Sequence, residues 1–110
     1  MFVARWQFTS QFGKVDDVLS ILRKWEIDVG QRVGWKTDHV RVVTGVVGAA
    51  SSAIELEVRI DSLADLEAAW GDMDRNPHHA EYMKMLGHLL VGGTGHWTVH
   101  RLVELVPHDS

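Results

Sequence analysis

The apolar positions of this chain change period along its length, and each change marks an element. From Phe2 to Thr9 the sequence FVARWQFT alternates, with Phe2, Ala4, Trp6 and Phe8 on one face and Val3, Arg5, Gln7 and Thr9 on the other. That pattern, rich in aromatic and β-branched residues, predicts a strand. After the SQFG turn, apolar residues recur at three- and four-residue steps: Val15, Val18, Leu19, Leu22, Trp25, Val29 and Val33. They form the stripe of one amphipathic helix. Asp16 and Asp17 suit its first turn, Arg32 its last, and Gly34 its end. Alternation returns in HVRVVTGVVG (His39–Gly48) and AIELEVRI (Ala53–Ile60). The short AASS link between them predicts an antiparallel hairpin.

DSLADLEAAWGDMD then predicts a second helix, capped by Ser62 with Asp65 three residues on. Its apolar stripe is Leu63, Leu66, Ala69, Trp70 and Met73. The helix restarts in RNPHHAEYMKMLGHLL, where Asn76 caps and Pro77 takes the first helical position. VGGTG breaks the chain before a last strand, GHWTVHRLVEL (Gly95–Leu105), in which Trp97, Val99, Val103 and Leu105 share a face with Arg101. The order β-α-β-β-α-β predicts an α+β, ferredoxin-like unit with a four-stranded antiparallel sheet and the helices on one face. We expect residues 1–106 to form a single domain and 107–110 a frayed tail.

Two faces of the sheet follow from this alternation. The strongest apolar sets, Phe2 to Phe8 and Ile54, Leu56, Val58 and Ile60, belong under the helices, with Val40, Val42, Thr44 and Val46 beside them. The opposite face then collects Arg5, Gln7, His39, Arg41, Glu55, Glu57, Arg59, His96 and His100, among apolar Val3, Val43 and Leu102. A solvated face more often carries Lys, Glu and Thr without clustered histidines. Two copies packed through these faces would form a barrel with a paired polar network inside, so the face predicts a two-fold homodimer.

Composition narrows the partners without naming a reaction. At 110 residues, 45% hydrophobic and 24% charged, the chain supports one core rather than two. A net charge of −4 with both signs interspersed gives no basic stripe for nucleic acid. The absence of cysteine excludes disulfides, thiolate metal sites and cysteine nucleophiles. No positive leader precedes Phe2, and no apolar run nears the roughly 20 residues of a membrane helix, so the expectation is a cytoplasmic protein without a membrane partner.

Candidate chemistry rests on the histidines. His78 and His79 are adjacent on a helix and diverge, so they do not share one metal, and neither matches a zinc spacing. His96 and His100 share a strand face about 13 Å apart. Beside a carboxylate such a histidine titrates near neutrality as a general acid or base, and a satisfied interface ladder is the plainer alternative. GGTG, before a strand and without lysine, is a connector and not a phosphate loop.

In element order, length and the pattern L-x-x-L-x-x-A-W (Leu63, Leu66, Ala69, Trp70) followed by the Asn76-Pro77 restart, nearly the whole chain resembles the dimeric α/β barrel proteins. These include antibiotic biosynthesis monooxygenase-like, NIPSNAP-like and haem-degrading domains. The resemblance implies three alternatives. The first is a cofactor-independent monooxygenase acting on a small aromatic substrate between sheet and helices. Trp6, Trp70 and Tyr82 would wall that site, and His78, His79 and Arg101 would orient oxygens. The second is a non-catalytic NIPSNAP-like binding or assembly module. The third is a haem-binding or haem-degrading protein using Gln7, Trp70 and His78 or His79, with Gln where those proteins carry Asn. The fold hosts unrelated functions, so the likeness bears on architecture first.

Overall fold

The computed structural model describes residues 1–106, and the predicted tail at 107–110 lies outside the described residues. Four strands, β1 (Phe2–Thr9), β2 (Val40–Thr44), β3 (Ala53–Ile60) and β4 (His96–Arg101), form one antiparallel sheet in the order β2-β3-β1-β4. Three α-helices, α1 (Val15–Trp25), α2 (Leu63–Arg75) and α3 (Pro77–Gly87), cover one face. This is the ferredoxin-like α+β arrangement that the alternation predicts.

Register explains why. Ala4 pairs with Val58 on one side and Val99 on the other, and Trp6 with Leu56 and Trp97, so the apolar set of every strand points the same way. Ala4, Ile54, Leu56 and Val58 are buried there against Val18, Leu22, Trp25, Leu66 and Leu86 of the helices. The caps form as predicted: Asp65 N–H donates to Ser62 Oγ at 3.1 Å, and His78 N–H to Asn76 Oδ1 at 2.8 Å.

Three predicted boundaries move, each for a local reason. The first helix does not run unbroken to Val33. At Glu26 it widens into a π turn, Glu26–Gly30, closed by Gln31 N–H donating to Glu26 O, and then tightens into a 3-10 turn, Gln31–Val33. Gly34, at φ 92°, ends it as expected. β2 stops at Thr44, because at Gly45 the backbone of Ala50 closes in and an added Cβ would lie 1.9 Å from its carbonyl oxygen. Val46 and Val47 are therefore exposed in the hairpin loop and not under the helices. β4 stops at Arg101, which pairs with Phe2 at the start of β1. Beyond it Leu102 N–H donates to the Met1 carbonyl, and Val103 and Leu105 lie exposed outside the strand.

The π turn carries a pH effect. Burial pushes the Glu26 carboxyl up to about 7 from its ordinary 4.5. A raised carboxyl means that the folded chain holds a proton the unfolded chain releases, so stability falls as pH rises between 4.5 and about 7. The shift sets a ceiling of about 3 kcal/mol. Solvent screening of this partly buried side chain reduces it to about 1–2 kcal/mol. Glu26→Gln should remove that slope and stabilise the protein at pH 8, but not at pH 4, in urea titrations.

Candidate functional site

Between sheet and helices lies a cavity of about 340 Å³ lined by Trp6, Trp25, Trp70, Met73, Asp74, His79, Met83 and Trp97. Cross-strand pairing builds its floor: Trp6 and Trp97 face one another in the register and stack with centroids 5.9 Å apart and planes 6° apart. Trp70 of α2 meets Trp97 edge-on at 5.5 Å. Trp25 lies behind Trp6 at 6.1 Å, and Trp35 behind Trp97 at 5.9 Å. All five tryptophans of the chain thus join one cluster. Trp70 is its outermost member and is about one-third exposed.

His79 supplies the polar point. Asn76 starts α3 and ties it to the π turn by donating from Nδ2 to the Asp28 carbonyl at 3.3 Å, which sets His79 in the first turn of α3 beside Trp25. Trp25 Nε1–H donates to His79 Nδ1 at 3.1 Å. A neutral imidazole whose Nδ1 accepts carries its proton on Nε2, so His79 presents an N–H donor. Burial lowers its pKa below the ordinary 6.5, opposed by the nearby Asp74 carboxylate. The partial positive charge of a helix N-terminus acts in the same direction as burial. The ring is accordingly neutral at pH 7.

Of the residues predicted for this site, the fold brings together Trp6, Trp70 and His79. It does not bring Tyr82, His78 or Arg101. Tyr82 donates its hydroxyl to Asp28 Oδ2, clamping α3 to the π turn, and that bond raises its pKa. His78 is exposed at the α3 N-terminus. Arg101 lies over the Phe2 ring, 5.1 Å from its centroid. That is four residues along β4 from Trp97, about 13 Å by strand rise. Trp25, Met73, Asp74, Met83 and Trp97 were not foreseen as lining. Trp25 and Met73 read only as core stripe, and Trp97 as an inward strand position. The pairing of Trp97 with Trp6 needed the β1–β4 register.

The haem set fails the same test. Gln7 lies on the far face of the sheet from Trp70 and donates to Thr98 Oγ1 at 2.8 Å. Tryptophan and amide are thus separated by the sheet, and the residues present do not fit haem. Among the described residues no cluster of three or more His, Asp or Glu could hold a metal ion.

The far face gathers the predicted polar set. Arg41, Glu57, Arg5 and Thr98 form one cross-strand row, and Val43, Glu55, Gln7 and His96 the next. Glu57 is buried between two arginines: Arg41 Nε donates to Oε2, and Arg5 Nε stands 3.0 Å from Oε1 in an ion pair. Arg59 and His100 flank Val3, and His39 sits just before β2, lining a hollow with Arg41, Glu57 and Arg59. His96 Nδ1 lies 3.0 Å from the Thr94 carbonyl oxygen.

Solved structures share this architecture. A NIPSNAP family protein from Agrobacterium tumefaciens superposes with a TM-score of 0.78 at 15% identity, over 97% of each chain. An uncharacterised NIPSNAP domain protein from Burkholderia xenovorans gives 0.71 at 14% identity, over 97% of this chain and 99% of that one. SnoaB, a cofactor-independent oxygenase from Streptomyces nogalater, gives 0.69 at 9% identity over 97% of each. The chain thus has the ferredoxin-like fold of NIPSNAP and antibiotic biosynthesis monooxygenase-like proteins; at these identities the likeness is one of fold. No protein-family profile matches the sequence, and no curated protein does. Among the described residues no helix is long and apolar enough to cross a membrane.

Proposed function

We propose that this protein is a homodimeric, cofactor-independent monooxygenase-like enzyme for a small, electron-rich aromatic substrate. One observation carries the reading: a cavity walled by indoles and lined by one imidazole, that of His79, whose Nδ1 is taken by Trp25 and which therefore keeps an Nε2–H donor. Stacked and edge-on indoles offer flat, polarisable walls to an aromatic ring. A mainly apolar pocket with few polar groups is the usual form of a small-molecule site. The imidazole donates to a substrate oxygen, and Asp74, the one carboxylate in the lining, accepts the proton an acidic substrate releases. The resulting anion supplies the electrons to oxygen. One oxygen atom enters a substrate carbon that loses two hydrogens, and the other leaves with them as water.

The dimer belongs to the same proposal. Glu57 is already desolvated between Arg5 and Arg41, while Gln7, His96 and His100 beside it offer hydrogen-bonding groups to a second copy's matching face. In a two-fold pair each such row meets the same row of the second copy, rotated by 180°, so unlike charges meet if the rows are offset.

The test is oxygen uptake with a hydroxylated anthrone, alongside quenching of tryptophan fluorescence. Trp70→Ala should weaken binding about tenfold, the loss of one aromatic contact of roughly 1.5 kcal/mol. His79→Ala should cut turnover about 100-fold with little change in quenching. Quenching without oxygen uptake in the unaltered protein favours the second reading, a non-catalytic binding module. That reading draws on the NIPSNAP proteins of unknown function among the structural neighbours.

A further inference from the structure

A second hollow, between α1 and β2, is bordered by Glu26, whose carboxyl has no hydrogen-bond partner among the described residues. Glu26 begins the π turn at a position one turn beyond Leu22, inside the apolar stripe of α1. Both its carboxyl oxygens are buried, and neither accepts a hydrogen bond among the described residues. The carboxyl lies along the turn against Gly30, where an added Cβ would stand 2.1 Å from Oε2. Glycine is what leaves room for it. The hollow beyond has a volume of about 500 Å³, walled by Leu19, Leu22, Ile27, Val42 and Leu56. That volume is within the range of small-molecule sites.

Leaving buried acceptors unanswered costs free energy, and single π turns within helices are frequent at functional sites. The missing component is a donor. Arg41 borders the hollow but is committed to Glu57 on the opposite sheet face, Gln31 donates its side-chain amide to Thr37 Oγ1 at 2.9 Å, and neither they nor Arg23 hydrogen-bond to Glu26. A metal ion would need further oxygen or nitrogen ligands that the described residues do not gather here. An alcohol brings one donor to two orphan oxygens, whereas a primary ammonium brings three donors and the opposite charge.

We infer that the groove between α1 and β2 is a second ligand site, independent of the tryptophan cavity, for a primary amine carrying an apolar chain. The ammonium donates to the Glu26 carboxylate, and the chain lies on Leu19, Leu22, Ile27, Val42 and Leu56. Binding requires the ionised carboxyl. With Glu26 titrating at about 7, the competent fraction is about one-tenth at pH 6 and about nine-tenths at pH 8.

Calorimetric titration with n-hexylamine and n-hexanol tests this on the whole protein. The amine should bind roughly tenfold more tightly at pH 8 than at pH 6. Glu26→Gln should weaken it at pH 8 by tenfold or more and abolish the pH dependence, and hexanol should bind more weakly and without pH dependence. Carbon-13 shifts of the Glu26 carboxyl should move with the amine and not the alcohol, a readout that needs no variant. Trp70→Ala should leave hexylamine affinity unchanged, which separates this site from the aromatic one. A flat pH profile, a Glu26→Gln variant that binds as well as the parent, loss of binding in Trp70→Ala, or no binding at all would each overturn the inference.

Discussion

Trp25→Ala should lower folding stability by about 3–5 kcal/mol, the range for truncating a buried tryptophan. In a domain of this size that corresponds to a drop in Tm on the order of 10–20 °C. Trp25 is fully buried, touches the rings of Trp6, Trp35 and His79, and joins the last turn of α1 to the first turn of α3. Truncation therefore opens a void where sheet and both helices meet. Trp25→Phe separates packing from hydrogen bonding: it keeps a ring but leaves His79 Nδ1 without a donor. Its stability loss should be smaller, about 1–2 kcal/mol. The His79 pKa should rise towards 6.5, because protonating Nδ1 no longer breaks a bond. Since burial holds the folded pKa of His79 below 6.5, its contribution to stability is complete above that pH and is lost as pH falls through the lowered value. Trp25→Phe should shrink that acid-side loss. Denaturant titrations from pH 5 to 8 and imidazole nitrogen spectra check both statements. An unchanged His79 titration in Trp25→Phe would refute the role given to the indole N–H.

Glu57→Lys should act on fold and assembly together. It places a third cation between Arg5 and Arg41 at a position nearly closed to water. Destroying a buried pair by removing one partner costs about 3–5 kcal/mol, and adding a like charge does not reduce that. Native mass spectrometry should show a dimer for the parent and a monomer for Glu57→Lys, with a lowered Tm. The swapped pair Arg5→Glu with Glu57→Arg restores one attraction on the same row and should recover part of both losses. A parent that is monomeric at micromolar concentration would remove the dimer from the proposal and leave the tryptophan cavity standing.

Much of the architecture is written in local patterns. Alternation in FVARWQFT and AIELEVRI specifies which side chains share a sheet face, because strand side chains alternate with period two whatever the neighbours are. Ser62 and Asn76-Pro77 specify helix starts for a similarly local reason: the groups that satisfy free N–H donors lie within three residues of them. The element ends that moved depend on something distant. β4 ends at Arg101, opposite Phe2, the first residue of β1, and β2 ends where Ala50 presses on Gly45, so neither is legible in the residues of the strand itself.

The candidate site shows the same division. Trp6, Trp70 and His79 could be named as inward or helix-borne aromatic groups. Tyr82, His78 and Arg101 were named with them on the same terms, and the fold sends those three elsewhere. Their neighbours in sequence are not their neighbours in space: Asp28 takes the Tyr82 hydroxyl from fifty-four positions away, and Phe2 takes the Arg101 guanidinium across the β1–β4 pairing. Glu26 left a trace in the sequence, a carboxylate on an apolar stripe, but only the π turn and the space over Gly30 gave that trace meaning. The sequence by itself therefore determined the faces, the caps and the order of the elements, since these follow from periodicity and short-range hydrogen bonding. The tertiary structure alone decided which indoles meet, which nitrogen of His79 carries the proton and which carboxyl is left without a donor, because each depends on contacts between segments far apart along the chain.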